Sequence, residues 1–245
     1  SDARIHYAYL VCRLLLEKKK KGKTKVRYLI RAKDLVGLNQ LVARVRKIAD
    51  GAALMTETSV TTKVVSAVSN LLGNTPLEQA MYDNMTRLGA PEFDDADRAY
   101  AREIQKTLSD EDIATAFRRH GLKVERDKTL CDQIVPLDAR GGGGVGSTDV
   151  GDVSWAVPTV QARGATYAIG TPGHSWQLTA QGKSGIAHKG LVHVAKIMAG
   201  TAVDAIQNPA LLAAAKADHK ARTDAHPYVC PLPADVNPPI KMSAD

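Results

Sequence analysis

Two segments near the start of the chain have the polar and apolar pattern of β-strands. Polar and apolar residues alternate roughly in residues 4–10, and β-branched and aromatic residues recur in KVRYLIRA, residues 25–32. Lysines crowd the stretch between them, at residues 18–25. The pattern therefore predicts a hairpin with a lysine-rich connection.

A helix and a third strand are predicted to follow this hairpin. Asp34 is a suitable N-cap, the apolar residues from Leu38 to Ala49 recur at i, i+3, i+4 and i+7, and Gly51 is a natural stop. Residues 56–69 are rich in Thr and Val and predict another strand. The order strand, strand, helix, strand is most of a ferredoxin-like α+β unit that lacks its opening strand and helix.

The pattern changes to helices after residues 73–74, where a second domain is expected to begin. Helices are predicted from a cap at Thr75 (with Pro76 in the first turn) to about Leu88, from Asp94 to Leu108, from a capping box of Ser109 and Asp112, from Ser184 to Gln207, and from Asn208 to about Thr223. Two short apolar strands, residues 133–137 and 165–170, are predicted between them, and the proline-rich tail is not expected to form regular structure.

Composition and charge narrow the class of function. No apolar stretch reaches the roughly 18 residues of a membrane span, and the first residues lack the apolar core of a secretory signal, so we expect a cytoplasmic protein without a membrane partner. The 3 cysteines are far apart, which argues against a disulfide framework or a cysteine zinc site. Much of the net charge of +7 lies in the lysine run, which has no aromatic residues to stack bases and is interpreted as a solvated loop rather than a nucleic-acid site.

The glycine-rich stretch GGGGVGSTD, residues 141–149, nearly matches two nucleotide-binding motifs. A P-loop needs a Lys before its Ser or Thr, but Ser147 and Thr148 follow Gly146 directly. A dinucleotide-binding loop is followed about 20 residues later by an acidic residue, and residues 166–173 contain none. The sequence therefore argues against a nucleotide site here.

Histidines are the other candidates for chemistry. His174 follows a Pro-Gly turn just after a predicted strand, where α/β enzymes place ligands, and it could either stabilise that turn or bind a metal. His188 and His193 are five residues apart, roughly 140° around a helix axis, so they do not share a face and are interpreted as packing residues.

Four segments closely resemble one family of enzymes. They are GSTDVGDVSWAVP at residues 146–158, GTPGHSWQLTAQGKSGIAH at 170–188, YLIRA at 28–32 and ADGAALMTET at 49–58. In these segments the chain is similar to the aminoacylase, carboxypeptidase and indole-acetyl-amino-acid hydrolase family of two-metal amidohydrolases. The likeness extends over nearly the whole sequence.

The resemblance implies an α/β fold of two parts. Residues 1–70 would be part of a ferredoxin-like lid through which these enzymes usually form homodimers, and residues 71–245 would be the returning, C-terminal half of a three-layer catalytic domain. The substrate would be a small amide, in which an aromatic or other acyl group is joined to an amino acid such as glutamate. In the full-length family two divalent metal ions, Mn or Zn, activate a water and polarise the amide carbonyl, while a glutamate acts as general base.

The resemblance also implies roles for particular residues. His174 would be the last metal ligand, and the loop of Gly146, Ser147, Thr148 and Asp149 would line the metal pocket. Arg31 would hold the free carboxylate of the substrate, which suits the bidentate geometry of a guanidinium. The other metal ligands and the base belong to the N-terminal half of the family, so we expect this chain alone to be inactive and not to retain the metals, because even one catalytic zinc takes about three protein ligands.

Residues 11–23 depart from the family. There the family has a glycine-rich stretch and an Asn that helps to bind the substrate, and this chain has VCRLLLEKKKKGK. A local frame error or a decayed gene is one hypothesis for the abrupt change, and resequencing the source DNA would test it. The alternative to a hydrolase fragment is a non-catalytic subunit that acts by dimerisation or by association with a separate N-terminal half.

Overall fold

The computed structural model describes residues 12–18, 25–139 and 148–237, the first of these by its backbone alone. They form two compact units, one of residues 12–18, 25–72, 148–157 and 222–237, and one of residues 73–139 and 158–221. The assignment of residues 1–70 to a lid and 71–245 to a catalytic half stays a prediction. In the described ranges no helix combines the length and the apolar character that crossing a bilayer requires.

The first unit contains a three-stranded antiparallel sheet. Its strands are β1 (Cys12–Lys18), β2 (Lys25–Ile30) and β3 (Val60–Val64), in the order β2-β1-β3. In the register Leu14 of β1 is the partner of both Tyr28 and Val64. The antiparallel pairing of β2 is confirmed, but its partner is Cys12–Lys18, within the segment that departs from the family. The strand predicted at residues 4–10 lies outside the described residues, as does the lysine-rich stretch 19–24.

One helix, α1 (Leu35–Met55), packs on this sheet. The predicted N-cap is confirmed, because the backbone N–H of Gly37 donates to the Asp34 carboxylate at 2.8 Å. The predicted stop at Gly51 is wrong, since the helix continues for another turn to a cap at Thr56. Apolar packing explains the position of the helix: Ile30, Leu38, Val64 and Ala67 form a buried cluster. The third strand is shorter than predicted and ends at Val64.

Within the described ranges seven further helices follow. They are α2 (Thr75–Leu88), α3 (Asp95–Gln105), α4 (Asp110–Arg119), α5 (Val150–Ala156), α6 (Trp176–Gln181), α7 (Gly185–Gln207) and α8 (Pro209–Ala225). All belong to the second unit except α5 and the last residues of α8. The predicted helices are confirmed, whereas α5 and α6, of 7 and 6 residues, were not predicted because so short a segment shows less than two turns of periodicity.

Side-chain caps fix where these helices begin. The predicted capping box of Ser109 and Asp112 is confirmed, and Asp94 forms a second one with Asp97. Asn74 rather than Thr75 caps α2, and its amide oxygen accepts from the backbone of Leu77. These caps satisfy backbone donors that the first turn of a helix leaves without partners.

The two strands predicted at residues 133–137 and 165–170 are absent from the described structure. A strand exists only where a neighbour offers a ladder of hydrogen bonds. In the described ranges a single backbone bond, from Ile169 N–H to the Thr129 carbonyl at 2.9 Å, joins residues 165–170 to the segment just before residues 133–137. The amide of Gln105 adds bonds to the Lys128 and Ile169 carbonyls at 3.2 and 3.0 Å. The second unit is therefore a helical layer around two extended segments.

Candidate functional site

The candidate loop leads directly into the short helix α5. Of its residues, Gly146 and Ser147 lie outside the described residues, while Thr148 and Asp149 are described. The Thr148 hydroxyl accepts from the backbone N–H of Val150 at 3.3 Å. The Asp149 side chain is exposed and makes no cap bond to α5. Its carboxylate is therefore accessible to a ligand.

A carboxylate in the first turn of α5 holds this loop to the rest of its unit. The Asp152 carboxylate accepts from the Ser69 backbone at 3.1 Å, from the Ser69 hydroxyl at 2.6 Å and from the Tyr228 hydroxyl at 2.8 Å. Hydrogen bonds to a charged acceptor are among the stronger ones in proteins. Asp152 thus joins α5 to two segments that are distant in sequence.

Two neighbouring side chains of α5 extend this attachment. The Ser154 hydroxyl accepts from the Leu72 backbone at 2.8 Å, and the Trp155 indole N–H donates to the Asn70 carbonyl at 2.7 Å. The Trp155 ring also stacks on Tyr228 with centroids 6.1 Å apart. The segment after β3 and the tail therefore fix the orientation of the helix that follows Asp149.

Close packing makes Gly151 necessary at this junction. A Cβ atom built on Gly151 would lie 2.0 Å from the Ser69 carbonyl oxygen, a distance that no substituted residue could accept without a backbone shift. The same environment raises the pKa of the Tyr228 hydroxyl well above its ordinary value, first through burial and then through its hydrogen bond to Asp152. Tyr228 stays protonated and acts as a donor.

Arg31 lies directly after β2, in the same unit. Its side chain is exposed, and it makes no ion pair with any residue in the described ranges and no hydrogen bond with Thr148 or Asp149. An exposed guanidinium of this kind could bind a carboxylate in bidentate geometry. The structure does not join it to the loop by any direct contact.

His174 belongs to the second unit and has an unusual backbone. It follows Pro172 and Gly173, and its φ of 58° is in the left-handed region, which costs a residue with a Cβ of the order of 1 kcal/mol. The turn is held by Ser175, whose hydroxyl donates to the Pro172 carbonyl at 2.7 Å and accepts from Leu178 at 3.2 Å. The imidazole is exposed and takes no part in these bonds.

The described residues do not fit a complete metal site. No three His, Cys, Asp or Glu side chains converge anywhere in the described ranges, so His174 does not belong to such a group there. A single imidazole does not provide the three or so protein ligands that a catalytic metal needs. Any metal site that includes His174 must take its other ligands from elsewhere.

The chain is similar to a subunit of p-aminobenzoyl-glutamate hydrolase. The likeness to this protein of Escherichia coli (strain K12) is 39% identity over 251 aligned residues and covers 98% of the chain. The chain spans about half of that relative, 52% of its length. No protein-family model matches the sequence.

Sequence reasoning selected the loop before α5 and the turn at His174, but it missed other residues that hold these two segments in place. Asp152, Ser154 and Trp155 lie inside the matched segment GSTDVGDVSWAVP, and only their long-range partners show that they anchor α5. Gln181 was missed in the same way: its buried amide accepts from Ala168 at 2.7 Å and donates to the Thr171 hydroxyl at 3.1 Å, which fixes the segment before His174. Burial of a polar side chain is the signal, and a sequence does not display it.

The remaining histidines of α7 were interpreted as packing residues. The imidazole of His193 lies 2.7 Å from the Gly89 carbonyl and joins α7 to the end of α2. His188 is exposed. The two rings have different surroundings on one helix, as their spacing predicts.

Proposed function

We propose that the chain is one part of a metal-dependent amidohydrolase that cleaves p-aminobenzoyl-glutamate or a related N-acyl amino acid or dipeptide. The single observation that carries the proposal is the 39% identity to the E. coli protein over 98% of the chain. In this reaction water adds across the amide and releases p-aminobenzoate and glutamate. Because the chain spans 52% of the relative, the proposal assigns the complete activity to an assembly that also contains the rest of such an enzyme.

His174 is proposed to contribute one metal ligand to that assembly. Two features support it: the ring is exposed, and the backbone accepts a left-handed conformation that a structural turn would normally give to glycine. A metal pair would supply an activated water and a polarised carbonyl when bound. The remaining ligands and the general base are proposed to come from polypeptide outside this chain, since the described residues do not assemble them.

The first unit is proposed to bind substrate. Arg31 presents an exposed guanidinium that suits the free carboxylate of a glutamate, and the loop of residues 146–149 is proposed to line the pocket. This unit is proposed to be a partial lid, and two copies of the chain are proposed to form a homodimer through its strands. Three strands and one helix in the expected order support that assignment.

The test is a complementation assay. The chain is mixed with the part of the E. coli protein that it does not match, Mn²⁺ or Zn²⁺ is added, and release of p-aminobenzoate is followed by chromatography. We expect no turnover from the chain alone and measurable turnover from the mixture. A chain that hydrolyses the substrate by itself would contradict the proposal.

His174→Gly separates the proposed ligand role from a structural role. Glycine prefers the left-handed backbone, so this variant should keep or gain about 0.5–1 kcal/mol of stability. It should nevertheless lose the activity of the complemented mixture and bind less metal in it. His226→Ala, at an exposed histidine of the tail, is the matched control and should change neither property. Full activity in His174→Gly would refute the ligand assignment.

A non-catalytic role is the second candidate. The absence of converging metal ligands in the described ranges favours it as much as it favours a fragment. The complementation assay separates the two, because a degenerate subunit would associate with its partner and remain inert. The name of the E. coli relative, which calls it a subunit, is compatible with both.

A further inference from the structure

Among the residues that the structure describes, helix α7 is packed along one side. Its buried residues are Ile186, Gly190, Ile197 and Thr201, which are spaced by four, seven and four positions and lie along one stripe. That stripe belongs to the core of the second unit: a Cβ on Gly190 would meet the Ala165 carbonyl oxygen at 2.0 Å. Near its C-terminus α7 is tied to α2 by a hydrogen bond from the Asn84 amide to the Asp204 carboxylate.

The opposite side of α7 is apolar and exposed. Its large residues are Leu191, Val192, Met198, Val203 and Ile206, and the positions between them include Ala195, Ala199 and Ala202. At about 100° per residue these side chains occupy an arc of roughly 140° centred opposite the buried stripe, over about 22 Å of helix. We call this set the outer face of α7.

Such a face differs from scattered exposed apolar residues. Single apolar side chains are common on protein surfaces, but a continuous patch of this length marks a surface that another polypeptide covers. A helix that is apolar on two opposite sides is typical of a helix between two layers. The three alanines would let a second layer approach closely, while Ile206, which is 81% exposed, would be deeply buried by it.

The relative indicates what forms the second layer. The chain spans 52% of the E. coli protein, so that protein contains nearly as much polypeptide again beyond the matched part. We propose that the outer face of α7 docks the polypeptide that corresponds to this unmatched part, whether it is joined to the chain or separate. The inference deepens the proposed function and rests on the same likeness, but it concerns assembly and does not require catalysis.

The first test measures binding. The chain is titrated with the unmatched part of the E. coli protein, and sedimentation velocity reports the complex. Met198→Glu and Ile206→Glu should each weaken the complex at least about 100-fold, because each places an unpaired charge in an apolar interface. Leu54→Glu on α1 is the matched control: Leu54 is 82% exposed, close to Ile206 in exposure, and its variant should bind like the unchanged chain.

The second test does not depend on a disruptive substitution. A photo-crosslinking residue is placed at position 206 or at position 54, and the same probe polypeptide is added. Crosslinks to the probe from position 206 and none from position 54 would support the proposal. Four results would overturn it. In the first two, Ile206→Glu binds like the unchanged chain, or crosslinks form from position 54 alone. In the other two, the unchanged chain forms no complex with the probe, or it forms a homodimer that both glutamate variants dissociate. A complex that forms but does not hydrolyse substrate would instead contradict the proposed function and leave the docking surface standing.

Discussion

Removal of the Asp152 carboxylate should loosen the helix that follows the candidate loop. In Asp152→Ala the two donors of Ser69 and the hydroxyl of Tyr228 lose their common acceptor. Each hydrogen bond to a charged group contributes about 1.5–3 kcal/mol, and partial exposure of the Tyr228 bond reduces its share. The higher helix propensity of alanine offsets a few tenths of a kcal/mol. We expect the first unit to lose about 2–4 kcal/mol, most of it through Ser69, which is only 2% exposed.

The assay exploits the tryptophans, of which the chain has 2. Trp176 lies in the second unit and is exposed, so Trp176→Phe leaves Trp155, beside Asp152 on α5, as the reporter of the first unit. Urea unfolding followed by Trp155 fluorescence then gives the free energy of that unit. Asp149→Ala is the matched control, because Asp149 precedes the same helix and makes no cap bond; it should change the free energy by less than about 0.5 kcal/mol.

A double-mutant cycle sharpens the result. Tyr228→Phe removes one of the three donors, and it should be less costly when combined with Asp152→Ala than alone, because the bond is already lost. Equal effects of Asp152→Ala and Asp149→Ala, or fully additive effects of Asp152→Ala and Tyr228→Phe, would refute the account of how α5 is held.

Three further predictions concern pH and packing. Because the pKa of Tyr228 is raised in the folded protein, its contribution to stability is complete below the ordinary tyrosine value of 10.0 and is lost as pH rises through the higher folded value. Tyr228→Phe should therefore lose less stability at alkaline pH than the unchanged chain, which urea titrations would measure. The hydrogen bond from Lys189 holds the pKa of Asp94 below its ordinary 3.8. The stability lost in Lys189→Met should therefore be constant from pH 5 to 7 and should shrink as pH falls below about 3.8. Thermal melts at each pH would check this trend. On α7, Ile186→Ala should cost about 2–4 kcal/mol in the chain alone, because Ile186 is fully buried, whereas Leu191→Ala on the outer face should cost less than about 0.5 kcal/mol; equal costs would show that both sides of the helix are packed.

The helices of this protein could be predicted from local signals. Asp34, Asn74, Asp94, Ser109 and Ser184 each accept a hydrogen bond from the first turn of a helix, and such caps act within three residues of sequence. Apolar periodicity over three or more turns, which is also a signal within the local sequence, predicted α1 and α7. Helix ends were less certain, as Gly51 shows, because glycine is tolerated where the next turn can still pack.

Strands could not be predicted equally well, since a strand depends on a partner that the local sequence does not specify. Residues 133–137 and 165–170 have the apolar composition of strands but lack a neighbour with which to form a ladder in the described structure. Residues 12–18 look like a departure from the family and yet pair with two strands. The hypothesis of a frame error in the gene remains open to resequencing.

The candidate site divides in the same way. His174, Thr148, Asp149 and Arg31 were selected from a family likeness, and the structure shows their exposure and local geometry. The side chains that hold these elements in place, above all Asp152, became visible only through contacts with residues more than 70 positions away. Long-range partners of this kind leave no mark in a short motif.

The central claim is that this chain completes its active site with polypeptide from outside itself. The most direct measurement titrates the chain, with Mn²⁺ or Zn²⁺ present, into a fixed amount of the unmatched part of the E. coli protein and records p-aminobenzoate released from p-aminobenzoyl-glutamate. The account predicts no release by either component alone and a rate that rises to a plateau at equimolar mixing. Release by the chain alone, or an equimolar complex that remains inert, would contradict it.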